Sequence, residues 1–149
     1  MVCGGITMTG RTELHICHGN VTGLCHRDNV IEPIVVPYAS RLGNAFLFEY
    51  DDARAHRARV TQDHPLFRRI TTPPWPAKSP DLSPTERLWN ILGRPVRRRP
   101  HKPQDVNELA DALQEEGRRI PQETTGRLIR SMRRRCLVCL AASGDPTRY

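Results

Sequence analysis

Trp75-Pro-Ala-Lys-Ser-Pro-Asp-Leu-Ser-Pro-Thr-Glu-Arg-Leu-Trp89 is the stretch on which the fold turns. Pro80 and Leu82 make its first half extended. Ser83 followed by Pro84 marks a helix start, because proline's missing N–H costs nothing in a first turn. That helix is predicted to end near Gly93 and to carry Glu86 in its first turn. Upstream, Asn44-Ala-Phe-Leu-Phe-Glu-Tyr50 is short, apolar and aromatic, which suits a buried strand. The run ends on Asp51, and 34 residues separate Asp51 from Glu86. In α/β sheets, functional groups gather at the carboxyl ends of strands. A carboxylate there can hold a hard cation such as Mg²⁺, and a second acid from a helix start would complete a site for metal-assisted phosphoryl transfer. Both acids also have structural readings. Ser83-Pro-Thr-Glu86 fits a capping box, and Asp51 with Asp52 could end a strand in a turn.

Outward from this core, Val2-Cys-Gly-Gly-Ile6 and Glu13-Leu-His-Ile-Cys17 read as the arms of a hairpin turning at Gly10. Residues 22–42 read as helical, interrupted or kinked at Pro33 and Pro37. Two more helices follow the Ser83 helix. One has Val106, Leu109, Ala110, Leu113 and Ile120 at helical spacing, and the other runs over 122–142 with Leu128, Met132, Cys136, Cys139 and Leu140 on one stripe. Strands and mixed elements first, helices last, favour one α/β domain with a helical tail.

The 149 residues carry a net charge of +7, unevenly spread. Residues 1–50 hold 3 basic and 4 acidic side chains, residues 51–100 hold 11 and 5, and residues 101–149 hold 9 and 7. All but Lys78 and Lys102 of the 23 basic residues are arginine, whose planar fork grips phosphate in a bidentate way. An acidic polymer, nucleic acid above all, is the partner this favours; a solubilising surface is the alternative. Arg94, Arg97, Arg98 and Arg99 form one cluster and Arg133 to Arg135 another, each readable as phosphate contacts or as solvated helix ends. No apolar run reaches the roughly 20 residues a bilayer span needs, and no basic-then-apolar leader opens the chain, so a membrane or secreted protein is not expected. Five cysteines, an odd number, argue against a disulfide framework. His15, Cys17, His18, Cys25 and His26 are zinc-ligand types without the paired spacing of a structural zinc site. Cys136-Leu-Val-Cys139 reads as two core thiols rather than a redox pair.

The two acidic segments also resemble a known family. Asp51-Asp-Ala-Arg-Ala-His56 is similar to the Asp-Asn-Ala-Arg-Pro-His signature of mariner-type DDE transposases, and Trp75 to Trp89 resembles their Trp-Pro-Ala-x-Ser-Pro-Asp-Leu-Asn-Pro-Ile-Glu-x-Leu-Trp motif. Val2-Cys-Gly-Gly-Ile6, Arg130-Ser-Met-Arg-Arg-Arg-Cys136 and Thr147-Arg-Tyr149 resemble further family segments. The resemblance implies a ribonuclease-H-like α/β core and metal-dependent DNA cleavage and strand transfer. It implies Asp51 and Glu86 as the second and third metal-binding acids, His56 beside the site, and Asp81 shaping the loop into the Glu86 helix. It further implies Mg²⁺ or Mn²⁺ as cofactor, DNA as partner, a homo-oligomer as a possible state, no small-molecule substrate and a nuclear location, a cytoplasmic one being the alternative.

The sequence departs from the family at several positions. Cys3 and Gly117 stand where the family has tryptophan, Asp52 for asparagine and Ala55 for proline. The family's first catalytic aspartate, on a strand upstream of Val2, has no counterpart in these residues. The expectation is therefore a core truncated at the N-terminus, with the first strand missing and C-terminal helices, organised as a partial endonuclease domain over 1–100 and a helical extension over 101–149. Such a chain would be impaired in cleavage and marginally stable. The alternative is a non-enzymatic nucleic-acid-binding or interaction remnant that uses Arg94–Arg99.

Overall fold

A computed structural model describes residues 1–43, 46–50, 53–76, 79–143, 145 and 147. The chain forms two compact units, one of residues 1–3 and 15–78, the other of 4–14 and 79–149. Among the described residues no helix is long and apolar enough to cross a membrane.

In the first unit β1 (Val2–Cys3) pairs antiparallel with β2 (His15–Ile16), Val2 opposite Ile16. The base of the predicted hairpin is thus present. Cys17 N–H donates to the Met1 carbonyl at 2.7 Å, and the terminal ammonium donates to the Cys17 carbonyl at 2.9 Å. Thr22 caps α1 (Gly23–His26), its hydroxyl accepting from the Cys25 N–H. Gly23 is required: a Cβ there would lie 2.3 Å from the Ala58 Cβ. The helix continues through a wide-turned π segment (Arg27–Val35) into α2 (Val36–Leu42). The predicted interruption by proline takes this form, since Pro33 lacks an N–H and its ring crowds the carbonyl four residues back. Wider turns relieve both problems, and Val36 N–H bonds Ile31 five residues back.

α3 (Arg54–Arg57), α4 (Arg59–Gln62) and a 3₁₀ turn (Pro65–Arg68) complete this unit's helices. Buried Thr61 ties α4 to α3, donating to the Ala55 carbonyl at 2.9 Å, and reaches α1 through the Gly23 carbonyl at 3.4 Å. The core is Ile31, Val30, Val35 and Cys17, with Phe46, Phe48, Leu66 and Phe67 packed on it. The predicted buried strand before Asp51 is only partly realised. Phe46, Phe48 and Tyr50 share one face with ring centroids 6.0 and 5.3 Å apart, the alternation of a strand. The opposite face is open, Leu47 being 54% exposed, and among the described residues the segment pairs through one parallel bridge from Leu47 to Thr71.

In the second unit Thr7 and Gly10 close the hairpin turn through a backbone bond of 2.8 Å, beside an Ile6–Arg11 bridge. α5 (Pro84–Arg97) buries Pro84, Leu88, Leu92 and Val96, a strict four-residue stripe. It runs past the predicted stop at Gly93, because Leu92 and Val96 hold the last turns down despite Pro95. Asp105 caps α6 (Val106–Arg119), accepting from the Asn107 and Glu108 N–H groups. Its buried face is Ala112 and Glu116, whereas Val106 and Leu109 of the predicted stripe are exposed. The last helix divides at Ser131 into α7 (Gln122–Arg130) and α8 (Met132–Ala141). The Ser131 hydroxyl donates back to the Leu128 carbonyl, a bond that loosens a helix at that point. The predicted apolar stripe of this helix is not core: Cys136 is exposed, and Leu140 is 76% exposed. The inward residue of α8 is Arg135, only 4% exposed.

Candidate functional site

Glu86 lies in the first turn of α5 with its side chain exposed. A carboxylate there gains from the helix dipole, by typically about 0.3–1 kcal/mol. The capping-box reading of Glu86 does not hold. The Ser83 side chain makes no cap bond, and among the described residues the Glu86 carboxylate has no partner; only its backbone carbonyl is used, by Asn90 Nδ2 at 3.3 Å. The neighbouring acid behaves differently. Asp81 Oδ2 accepts from the Thr147 hydroxyl at 2.8 Å, which agrees with a loop-shaping role. The turn ahead of α5 is closed by Leu82 N–H to Ser79 and Ser83 N–H to Pro80, with Leu82 and Pro84 buried under it.

Asp51 and Asp52 lie outside the described residues, so the predicted role of Asp51 is not placed. The residues on either side are well fixed. Tyr50 meets His56 edge-on with centroids 5.7 Å apart and Phe67 likewise at 5.7 Å. The His56 ring lies 4.4 Å from that of buried His26. Ala53 caps α3, its carbonyl accepting from the His56 and Arg57 N–H groups. His56, predicted beside the site, is therefore an anchor of this segment. His26, which nothing in the sequence linked to His56, is its support.

The two arginine clusters divide in the same way. Arg94, Arg97 and Arg98 are exposed at the C-terminal end of α5. Arg99 is occupied: its guanidinium donates to Glu115 and, at 2.9 Å, to Glu116, and Arg119 bonds both acids again. The hydrogen bond from Arg99 holds the Glu115 carboxyl below its ordinary value, with the Arg119 charge adding to it. Arg135, read from sequence as part of a phosphate-contacting cluster, is instead buried, with Nη1 on the Asp81 carbonyl at 3.0 Å.

Among the described residues no three histidine, cysteine or acidic side chains are grouped to hold a metal ion. Burial, and then the Cys17 thiol 3.8 Å away, push the Cys3 thiol up to about 12, so it stays protonated and unreactive at neutral pH. The oxygen donor of Glu86 does suit a hard cation in chemistry and exposure.

Residues 1–110 match the family model described as "DDE superfamily endonuclease". The chain belongs to this family. Within that family its similarities run to mariner/Tc1 transposases. It is 32% identical over 123 residues to the transposable element Tcb2 transposase of Caenorhabditis briggsae, which covers 82% of this chain and 44% of that protein. It is 29% identical over 150 residues to the Tc3 transposase of Caenorhabditis elegans, covering 100% of this chain and 45% of the relative. The chain thus spans about half the length of the curated relatives it matches. Its backbone superposes on the catalytic domain of Mos1 mariner transposase with a TM-score of 0.84 at 19% identity, covering 99% of this chain and 75% of that one. A Mos1 paired-end complex with Mn matches at 0.79 and 21% identity, covering 97% and 44%. The fold is therefore the ribonuclease-H-like α/β fold of DDE catalytic domains, as the motif resemblance implied.

Proposed function

We propose that this DDE endonuclease domain takes part in divalent-metal-dependent cleavage and joining of DNA, with Asp51 and Glu86 as metal-binding carboxylates. The observation that carries the reading is the contrast between two acids five residues apart. Asp81 is consumed by Thr147, while Glu86 presents an exposed carboxylate at a helix start that has no partner among the described residues. Mg²⁺ or Mn²⁺, when bound, would activate the attacking water or hydroxyl and stabilise the leaving oxygen. The contribution of Glu86 is a fixed oxygen donor whose helix restricts its reach. The Mn- and Mg-containing Mos1 catalytic-domain structures support the choice of metal. The paired-end and strand-transfer complexes of Mos1 support DNA as partner and leave room for a homo-oligomer. A nuclear location goes with this reading, since that is where the DNA it would act on lies.

Arg94, Arg97 and Arg98 are the proposed phosphate contacts, and three such contacts give a log–log salt slope of roughly −3. Arg99, tied to Glu115 and Glu116, would add little. The test is nicking of supercoiled plasmid with Mg²⁺ or Mn²⁺. Cleavage that Glu86→Gln abolishes supports the reading, whereas cleavage indifferent to Glu86→Gln refutes it. Salt-sensitive DNA binding with no metal-dependent cleavage would favour a binding remnant.

A further inference from the structure

The C-terminal helix and the segment after it contain polar side chains that the proposed chemistry does not use, and these converge on one place. Arg135 is 4% exposed, so its guanidinium must be satisfied by protein groups. Nη1 donates to the Asp81 carbonyl at 3.0 Å and to the Ser83 carbonyl at 3.3 Å. Nε donates to the Ser131 hydroxyl at 2.9 Å, which itself donates to Leu128 at the end of α7. Thr147 reaches the same turn from further along the chain, donating to Asp81 Oδ2 at 2.8 Å. Ser83 is the N-cap residue of α5, three residues before Glu86. Two side chains from distant sequence thus grip both the backbone and the side chain of the turn that launches the Glu86 helix.

We propose that Arg135 and Thr147 are positioning residues for Glu86, fixing the entry turn and with it the direction of the carboxylate. The proposal rests on Glu86 being a metal-binding acid. The physical reason is short range. The first turn of a helix has no preceding turn to restrain it, so the loop that launches it must be held by contacts from outside the helix. Here Leu82 and Pro84 press the turn down from the apolar side, and Arg135 holds two of its carbonyls from the polar side. Without Arg135 those carbonyls lose a charged donor, and the turn can drift by fractions of an ångström. A metal ligand tolerates little such drift, and losing a group that orients one typically costs about 10–100-fold in metal affinity.

The experiment measures Mn²⁺ affinity of the full chain by water-proton relaxation, alongside hydrogen exchange at the Leu82 and Ser83 amides. Arg135→Gln is expected to weaken Mn²⁺ binding about tenfold and to speed exchange at both amides, with partial recovery in Arg135→Lys. Leu92→Ala, which destabilises the same unit from its apolar core, should leave Mn²⁺ affinity unchanged among folded molecules. Thr147→Val removes one hydroxyl with little change of shape, and should shift affinity in the same direction by less, even if Arg135→Gln does not fold. Should Arg135→Gln and Thr147→Val bind Mn²⁺ no more weakly than Leu92→Ala, the positioning role is wrong. Glu86→Gln separates the two ideas. If it leaves Mn²⁺ binding intact, the functional reading fails and the positioning role fails with it; if it abolishes binding while the clasp variants do nothing, only the positioning role falls.

Discussion

The two units are built differently around the two acidic segments. In the first, the residues flanking Asp51 are held by rings: Tyr50 between Phe48, Phe67 and His56, above a core centred on Ile31. In the second, the turn before Glu86 is held by directed hydrogen bonds from Arg135 and Thr147, while the Arg11 guanidinium takes the Ile120 and Arg118 carbonyls at the end of α6. The contacts among Phe48, Tyr50 and Phe67 are mainly apolar and little affected by salt. Directed bonds fix orientation more tightly but depend on charge state. The difference teaches where each unit should break. Trp75 belongs to the first unit and Trp89 to the second, so single-tryptophan variants can follow them separately.

Ile31→Ala should give the largest effect. Ile31 is 0% exposed at the centre of the first unit's core, and truncations of this kind cost about 2–5 kcal/mol. Urea unfolding followed by Trp75, in a Trp89→Phe background, should show the loss. A cost below about 1 kcal/mol would mean that Ile31 is not central to this core.

Acid should act more on the second unit. The Arg99 hydrogen bond lowers the Glu115 carboxyl in the folded state, so the unfolded chain binds a proton there more tightly. The stabilisation is fully present above the ordinary carboxylate value of 4.5 and is lost as pH falls through the lowered folded value. Arg99→Gln should flatten this part of the pH–stability profile read by Trp89, and salt should weaken the effect because Glu115 is exposed. In the first unit, Arg27 lowers Asp28 in the same sense. Those two are adjacent in sequence, so part of their attraction survives unfolding and contributes less to pH dependence. Equal acid sensitivity of Trp75 and Trp89 would erase the contrast.

The sequence made local elements legible wherever a short-range rule decided them. Ser83-Pro84 starts α5, Asp105 caps α6, and Pro33 and Pro37 disturb the first long helix. The family motif gave the fold class and marked Glu86. What it could not show were the roles set by distant partners. Nothing local distinguishes Arg135 from Arg133, or Arg99 from Arg98, yet one of each pair is bound in a protein network. The stripe over Met132 to Leu140 has helical spacing, but Leu137 is 57% exposed because α8 turns Arg135 inward instead. Periodicity says which residues share a face, not which face is buried.

Position 117 carries this lesson to its smallest measurable effect. The family's tryptophan is absent there, and losing so large a ring would by itself leave a core underfilled. In the structure the space is taken: a Cβ on Gly117 would meet Leu14 Cδ1 at 3.1 Å and Leu92 Cδ1 at 3.9 Å. Helix propensity favours Gly117→Ala by about 1 kcal/mol, and the tight contact opposes it. The opposing atom is the far end of a leucine side chain, which can yield for about 0.5 kcal/mol of rotamer strain. Gly117→Ala should therefore stabilise the second unit by about 0.5 kcal/mol in urea unfolding followed by Trp89 in a Trp75→Phe background. A loss of stability instead would show that Leu14 cannot move, and that the hairpin arm carrying it is held as rigidly as the turn gripped by Arg135.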